Sequence, residues 1–306
     1  MSATTRRAGA LALLATSVLA LAACGSSGSS TTNTSSSSSS SKGGTVAVIY
    51  AGSLSKLMED DLGPAFQKAD GYSFQGFGGG SGEDAKQIKG KVRQVDVFVS
   101  ASAEADKEIE GAANGGWVSW YTTFASTPLV LGFNPASKYG KELAHGMPWY
   151  EVLAQPGIRV GRTDPKLDPK GKLTAEAVEE ASRKLGKPAL KTALRSFPVF
   201  PETALVGRLQ SGQLDAGFFY AIEANVANIP TVSLTPVKKT ADYTVALLNH
   251  AADQAGAEAF VRYLLQASTA TALTSNGLTP ITPPQLSGEA SAVPAGLRAT
   301  VGTASP

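Results

Sequence analysis

A single cysteine, Cys24, excludes any intramolecular disulfide. Histidine is nearly as scarce: His145 and His250 are the two in the chain, both in loop-like contexts. No spacing of His, Cys, Asp and Glu resembles a metal-ligand cluster, and no Gly-x-Ser-x-Gly elbow surrounds Ser53. These absences argue against a hydrolase or a metalloenzyme, and the chain is expected to be neither an enzyme nor a cofactor carrier. Charge of one sign is also lacking. The net charge is +2, and Arg6 and Arg7 account for it, so the rest of the chain is balanced. Without a basic face, nucleic acid is not an expected partner. No internal repeat is present, and the one long apolar stretch, Ala8 to Ala23, is short for a membrane span.

That stretch follows Arg6 and Arg7 and ends in small residues before Cys24, the layout of a secretory signal. Leu21-Ala22-Ala23-Cys24 resembles the bacterial lipoprotein lipobox. The resemblance implies removal of residues 1–23 and a diacylglyceryl group on Cys24. Residues 24–44 are otherwise almost wholly Ser, Gly and Thr, which bury nothing and read as a flexible tether. Its end-to-end distance would be roughly 25 Å by the flexible-coil rule. The protein is therefore expected on the extracytoplasmic face of the cell membrane, held by lipid.

From Thr45 onward the pattern alternates between strand and helix. Strands are expected at Thr45–Tyr50, Tyr72–Phe77 and Val95–Val99, with helices at Leu54–Ala69, after "GGGSGED", and at Glu104–Ala113. A second series follows. "STPLVLGFNP" holds a strand, and "GIRVGRTDPKLDPKG" a strand and a long loop. Leu173–Leu185 and Glu202–Gln210 read as helices, and "LDAGFFYAIEA" as a strand running into a helix. Tyr243–Asn249 is a strand, followed by a helix over Gln254–Gln266. Alternation of this kind favours parallel βαβ units. Two such α/β units joined by extended segments imply two lobes with a cleft, and ligands of open α/β sheets bind beyond the carboxyl ends of strands.

Two turns stand at such ends. "YAGSL" hands a strand to a helix through Gly52-Ser53, and Gly80-Ser81-Gly82 does the same after the second strand. Bare turns leave backbone N–H groups unshielded, and a helix start carries partial positive charge, so each suits an anion without a charged side chain. Ser53 and Ser81 read either as helix caps, with Asp84 completing a capping box at Ser81, or as hydroxyl donors to a ligand. Asp164 and Asp168 precede prolines in a loop with five charges and read as turn formers or as ligand contacts. Glu223 lies just past an apolar strand, as a solvated helix residue or a contact. Tyr243 begins a strand, as a core or hinge aromatic or a contact.

Taken in order, "YAGSL", "GGGSGED", "VDVFVSAS", "SWYTTFASTPLVLGFNPASKY", "GRTDPKLDPKG" and "LDAGFFYAIEA" resemble the tungstate/molybdate-type substrate-binding proteins of ABC importers. The likeness runs from Thr45 to about Pro284. It implies an α/β, two-lobed type II periplasmic binding-protein fold with the ligand in the cleft. It implies lobe 1 over 45–127, lobe 2 over 128–238, and a return hinge strand with the rest of lobe 1 over 239–306. It also implies that Gly52, Ser53 and Ser81 hold oxyanion oxygens, with Tyr243 a further candidate. Asp168 and Glu223 are the carboxylates that would coordinate molybdenum or tungsten directly, since hard high-valent centres prefer oxygen donors. This chain departs from the family where Leu167 precedes Asp168, where Lys170 precedes Gly171, and where Phe219 competes with Glu223 for the coordinating position, so four-coordinate binding without the carboxylates stands beside the six-coordinate reading.

The function so implied is capture of molybdate or tungstate for an ABC permease by a lipid-anchored monomer. Sulfate or phosphate fits the same neutral donors. A non-transport sensor or adhesion lipoprotein on the same fold is the reading of another class.

Overall fold

The computed structural model describes residues 43–302. The signal (1–23), Cys24 and the tether up to residue 42 lie outside the described residues. Among the described residues no helix is long and apolar enough to cross a membrane.

Among the described residues nine strands build the frame: β1 Thr45–Ala51, β2 Ser73–Gly79, β3 Val97–Ser100, β4 Trp120–Phe133, β5 Val160–Gly161, β6 Ala216–Tyr220, β7 Thr231–Ser233, β8 Thr240–Leu247 and β9 Thr279–Gly288. β1 pairs in parallel with β2 and β3, as the alternation predicts. The frame also contains antiparallel pairings: β8 runs against β3 and β4, and β6 against β4. The reason lies in β4. This long strand pairs with β8 as far as Pro128↔Thr240, then changes partner to β6 from Leu129↔Tyr220. It therefore belongs to two lobes: β1, β2, β3, β8 and β9 gather on one side, and β5, β6 and β7 on the other.

Residues 46–51 of β1 are all buried, and the alternation sorts them between two faces. Val46, Val48 and Tyr50 pack into the main core with Phe66 and Phe260; Ala47 and Ile49 pack with Ile88, Phe98 and Ile109 on the other face. Helices cover both faces, so this part of the sheet reads as a near-continuous apolar run. A third cluster joins Val130, Leu205, Leu209 and Phe219 in the second lobe.

Several expectations need correction. The helix expected over Glu104–Ala113 stops at Lys107: Glu110 bridges to Val118 instead, and Gly111 (φ 71°) takes a backbone conformation that no helix continues through. The helix after Ser53 is irregular: a 3-10 turn at Gly52–Leu54, a π turn at Leu57–Leu62, then an α-helix at Gly63–Asp70. Glu202–Gln210 likewise opens as a 3-10 turn. The helix expected over Leu173–Leu185 begins four residues earlier, at Pro169, with Asp168 as its cap.

Candidate functional site

β1 and β2 end in register, Ala51 opposite Gly79. Each then turns directly into a helical segment, so Gly52-Ser53 and Gly80-Ser81 lie side by side at one edge of the sheet. Neither serine caps its helix. The 3-10 turn after β1 has Ala51 as N-cap, and the helix Ser81–Lys89 has Gly80, both without a side-chain cap bond. The capping box expected at Ser81 and Asp84 is not formed, because Asp84 N–H donates to Gly80 O and Ser81 Oγ accepts from Ala101 N at 3.0 Å. Ser53 Oγ instead meets Tyr243 Oη at 2.8 Å. Both serines and Tyr243 are buried.

The glycines are required by the opposite lobe. A Cβ on Gly52 would stand 2.9 Å from Glu202 Oε2, and one on Gly80 2.8 Å from Leu167 O and 3.2 Å from Asp168 Cβ. The Asp-Pro loop thus rests on the start of the helix Ser81–Lys89, and Glu83 N–H donates to Leu167 O at 2.9 Å. The lobes are closed on one another at this edge. A cavity of about 160 Å³ remains beside Gly52 and Ser53, lined also by Glu202, Thr203 and Glu223.

From the second lobe, Asp168 caps the helix Pro169–Leu185 by accepting from Lys170 N–H at Oδ1, 2.9 Å; its Oδ2 is buried without a hydrogen-bond partner. Lys170 is fully buried. Its ammonium donates to both oxygens of Glu223, at 2.7 and 2.8 Å, and lies 3.2 Å from Glu202 Oε1. Glu223 Oε2 also accepts from Tyr220 N–H at 2.8 Å, tying it to the start of the helix Ala221–Val226. Tyr220 Oη has no partner, and its ring stands edge-on to that of Tyr243.

Three carboxyl groups therefore face one ammonium in a dry space. Burial pushes Glu202 well above the ordinary carboxylate range, with Asp168 adding to the shift. Asp168 and Glu223 are raised too, burial again outweighing the pull of Lys170. Burial lowers the Lys170 ammonium, but Glu202, Glu223 and Asp168 together outweigh it and raise it. Full ionisation would leave an excess of two negative charges, which an interior of low dielectric strongly disfavours. A protonated Glu202 is the arrangement this geometry supports, and it turns that carboxyl into a donor.

All six positions expected from the sequence, Gly52, Ser53, Ser81, Asp168, Glu223 and Tyr243, stand at this closed edge. Lys170, Glu202 and Tyr220 join them without having been singled out as contacts. Lys170 had a signal: a cation in the first turn of a helix opposes the helix dipole and needs a reason. Among the described residues no group of three His, Cys, Asp or Glu side chains is arranged to hold a metal ion.

Residues 46–279 match the profile of the family described as bacterial extracellular solute-binding protein. A putative ABC transporter molybdenum-binding protein of Haloferax volcanii is 31% identical over 222 residues, covering 72% of this chain and 67% of that protein. A molybdate/tungstate-binding protein of Thermococcus kodakarensis is 27% identical over 232 residues, covering 66% of this chain and 65% of that protein. The matches span about two thirds of these relatives' length. Among solved structures, the periplasmic molybdate-binding protein of Azotobacter vinelandii superposes with a TM-score of 0.60 at 21% identity, covering 76% of this chain and 98% of that one. The sulfate-binding protein SubI of Mycobacterium tuberculosis gives 0.62 at 15% identity, covering 79% and 88%. At these identities the superpositions establish the fold, a two-lobed type II binding-protein architecture with a cleft between the lobes.

Proposed function

The chain belongs to the bacterial extracellular solute-binding protein family, and we propose that within it this protein captures molybdate or tungstate and delivers it to an ABC importer. Members of the family bind a solute and do not transform it, so the chemistry to explain is recognition. The observation that carries the oxyanion reading is the pair of bare turns, with Ser53 bonded to Tyr243 rather than to its own helix. Molybdate, tungstate and sulfate offer acceptors only. The buried hydroxyls of Ser53, Tyr220 and Tyr243, the first amides after Gly52 and Gly80, and a protonated Glu202 are donors. Buried polar atoms without partners, such as Tyr220 Oη, are what a bound oxyanion would satisfy. The relatives named for molybdenum, molybdate and tungstate favour those ions over sulfate and phosphate.

Ser81 contributes by shaping the second turn, its hydroxyl being bonded to Ala101. Asp168, with an unpartnered Oδ2, is a carboxylate available to a metal centre, while Glu202, whose two oxygens are also unpartnered, acts as a donor when protonated. The lobe limits 45–127, 128–238 and 239–306 are supported by the change of partner along β4 near Pro128 and Thr240. Hinge motion at these crossing strands would open and close the cleft around the ligand. The protein would act as a monomer tethered by lipid at Cys24.

Titration calorimetry of the purified protein with molybdate, tungstate, sulfate and phosphate tests the reading. Tight binding of molybdate or tungstate with weak sulfate is expected. Preference for sulfate or phosphate would reassign the ligand, and no binding of any of the four would remove the oxyanion function.

A further inference from the structure

Lys170 is wholly buried, stands in the first turn of a helix where the dipole opposes a cation, and bonds a carboxylate that reaches it from another helix. Burying an ammonium is costly unless it is paired. A lysine adds nothing to a cap at Glu223, because Tyr220 N–H already supplies that contact at 2.8 Å. The ammonium is bonded directly to Glu223 and stands 3.2 Å from Glu202 Oε1, so it acts on both carboxyls. Its effect on the three carboxyls is unequal. Both oxygens of Glu223 are engaged by the ammonium, and one of them by Tyr220 as well. Glu202 Oε1 lies at ion-pair distance without a hydrogen bond, and Asp168 Oδ2 has no partner.

We propose that Lys170 sets the selectivity of this site by holding Glu223 off the bound centre, which makes Glu223 a positioning residue and not a ligand to molybdenum or tungsten. The inference rests on the oxyanion reading above. A metal centre approaching the two oxygens of Glu223 meets the ammonium already seated between them, and the two positive centres exclude one another. Asp168 Oδ2 is left free to coordinate; the two oxygens of Glu202 are also unpartnered, but that carboxyl serves as a donor when protonated. Lys170 thus limits how far a high-valent centre can expand its oxygen shell. That expansion is the property by which tungstate differs from sulfate, so the residue governs discrimination as well as charge.

The test uses tungstate and sulfate as probes on the wild type, Glu223→Gln and Lys170→Met. Glutamine retains the contact to Tyr220 N–H, so Glu223→Gln keeps the helix start. Both affinities should change by a common factor in this variant, with the tungstate-to-sulfate ratio within threefold of wild type. X-ray absorption at tungsten should count the same number of oxygens in both proteins. Lys170→Met releases Glu223: sulfate binding should weaken at least tenfold, tungstate less, so the ratio rises. A ratio that falls more than threefold in Glu223→Gln, an oxygen lost from the tungsten shell in that variant, or an unchanged ratio in Lys170→Met would each overturn the assignment. Should Lys170→Met not fold, the comparison of wild type with Glu223→Gln decides alone. Wild type that binds neither probe overturns this inference, and the oxyanion reading falls with it if molybdate and phosphate also fail to bind; binding with a collapsed ratio overturns only the role of Lys170.

Discussion

Ser53 and Tyr243 are separated by 190 positions in the chain and share a 2.8 Å hydrogen bond between buried hydroxyls. One follows the first strand and the other lies on the strand that returns to the same lobe. The bond fixes a donor pair at the edge where the two bare turns meet. Ser53→Ala should lower oxyanion affinity by about one to two decades, the equivalent of about 1.5–3 kcal/mol for a hydrogen bond to a charged group. The variant also leaves the buried Tyr243 hydroxyl without its partner, so unfolding free energy should fall by about 1–3 kcal/mol alongside the affinity. Loss of stability with affinity intact would return Ser53 to a structural role.

Gly80 tests closure. Its φ of −70° suits alanine, so the helix Ser81–Lys89 should tolerate the change. The added methyl would meet Leu167 O at 2.8 Å and Asp168 Cβ at 3.2 Å, both across the lobe boundary. Gly80→Ala is therefore expected to weaken oxyanion binding at least tenfold while thermal unfolding of the unliganded protein stays near wild type. Wild-type affinity in this variant would show that the loop does not need to seat there.

Asp84 and Asp106 set a pH dependence of stability. Burial pushes each up to about 8, with Glu83 adding to the shift at Asp84. Asp106 accepts from Thr244 Oγ1 at 2.5 Å, and its other oxygen is unpartnered. In the unfolded chain both titrate near the ordinary carboxylate value of about 4. Between those limits the folded state holds more protons than the unfolded one, so the stability they contribute is complete below about 4 and is lost as pH rises toward 8. Denaturant titrations should find a more stable protein at pH 5 than at pH 8, with a shallower slope in Asp106→Asn. Stability that climbs across this range would contradict the assignment.

Cys24 carries the anchoring claim. Cys24→Ser should leave the protein unprocessed or release it from membranes, as read by fractionation and by mass. A processed, membrane-bound variant would show that lipid at this cysteine is not the tether.

Much of this was legible in the chain, and what was not has physical reasons. Apolar runs such as Thr45–Ala51 and Ala216–Tyr220 announce strands because both faces are covered. β9 does not, because Pro280, Pro283 and Pro284 cannot donate to a ladder; it pairs with β4 alone, where fewer donors are needed. The turns at Ser53 and Ser81 could be placed at strand ends, but their alternative as caps could be removed only by knowing what the hydroxyls touch. Lys170 and Glu202 escaped because a lysine beside a glycine reads as solvated. Their burial arises from contacts between segments 32 or more positions apart, which no local pattern carries.

Asp168 decides how the bound centre is coordinated. It caps its helix through Oδ1 and leaves Oδ2 buried and unpartnered near the seam between the lobes. Burial raises its carboxyl, so a carboxylate facing a dianion there is tolerated only if it bonds to the metal or holds a proton. Asparagine caps a helix about as well as aspartate, so Asp168→Asn should cost little stability. If Oδ2 joins the shell of molybdenum or tungsten, tungstate affinity should fall strongly and sulfate affinity little, because sulfur does not take up the extra oxygen. We expect that outcome, with one fewer oxygen at tungsten by X-ray absorption. Tungstate affinity equal to or better than wild type, with four oxygens at one short distance in both proteins, would leave recognition to the neutral donors alone.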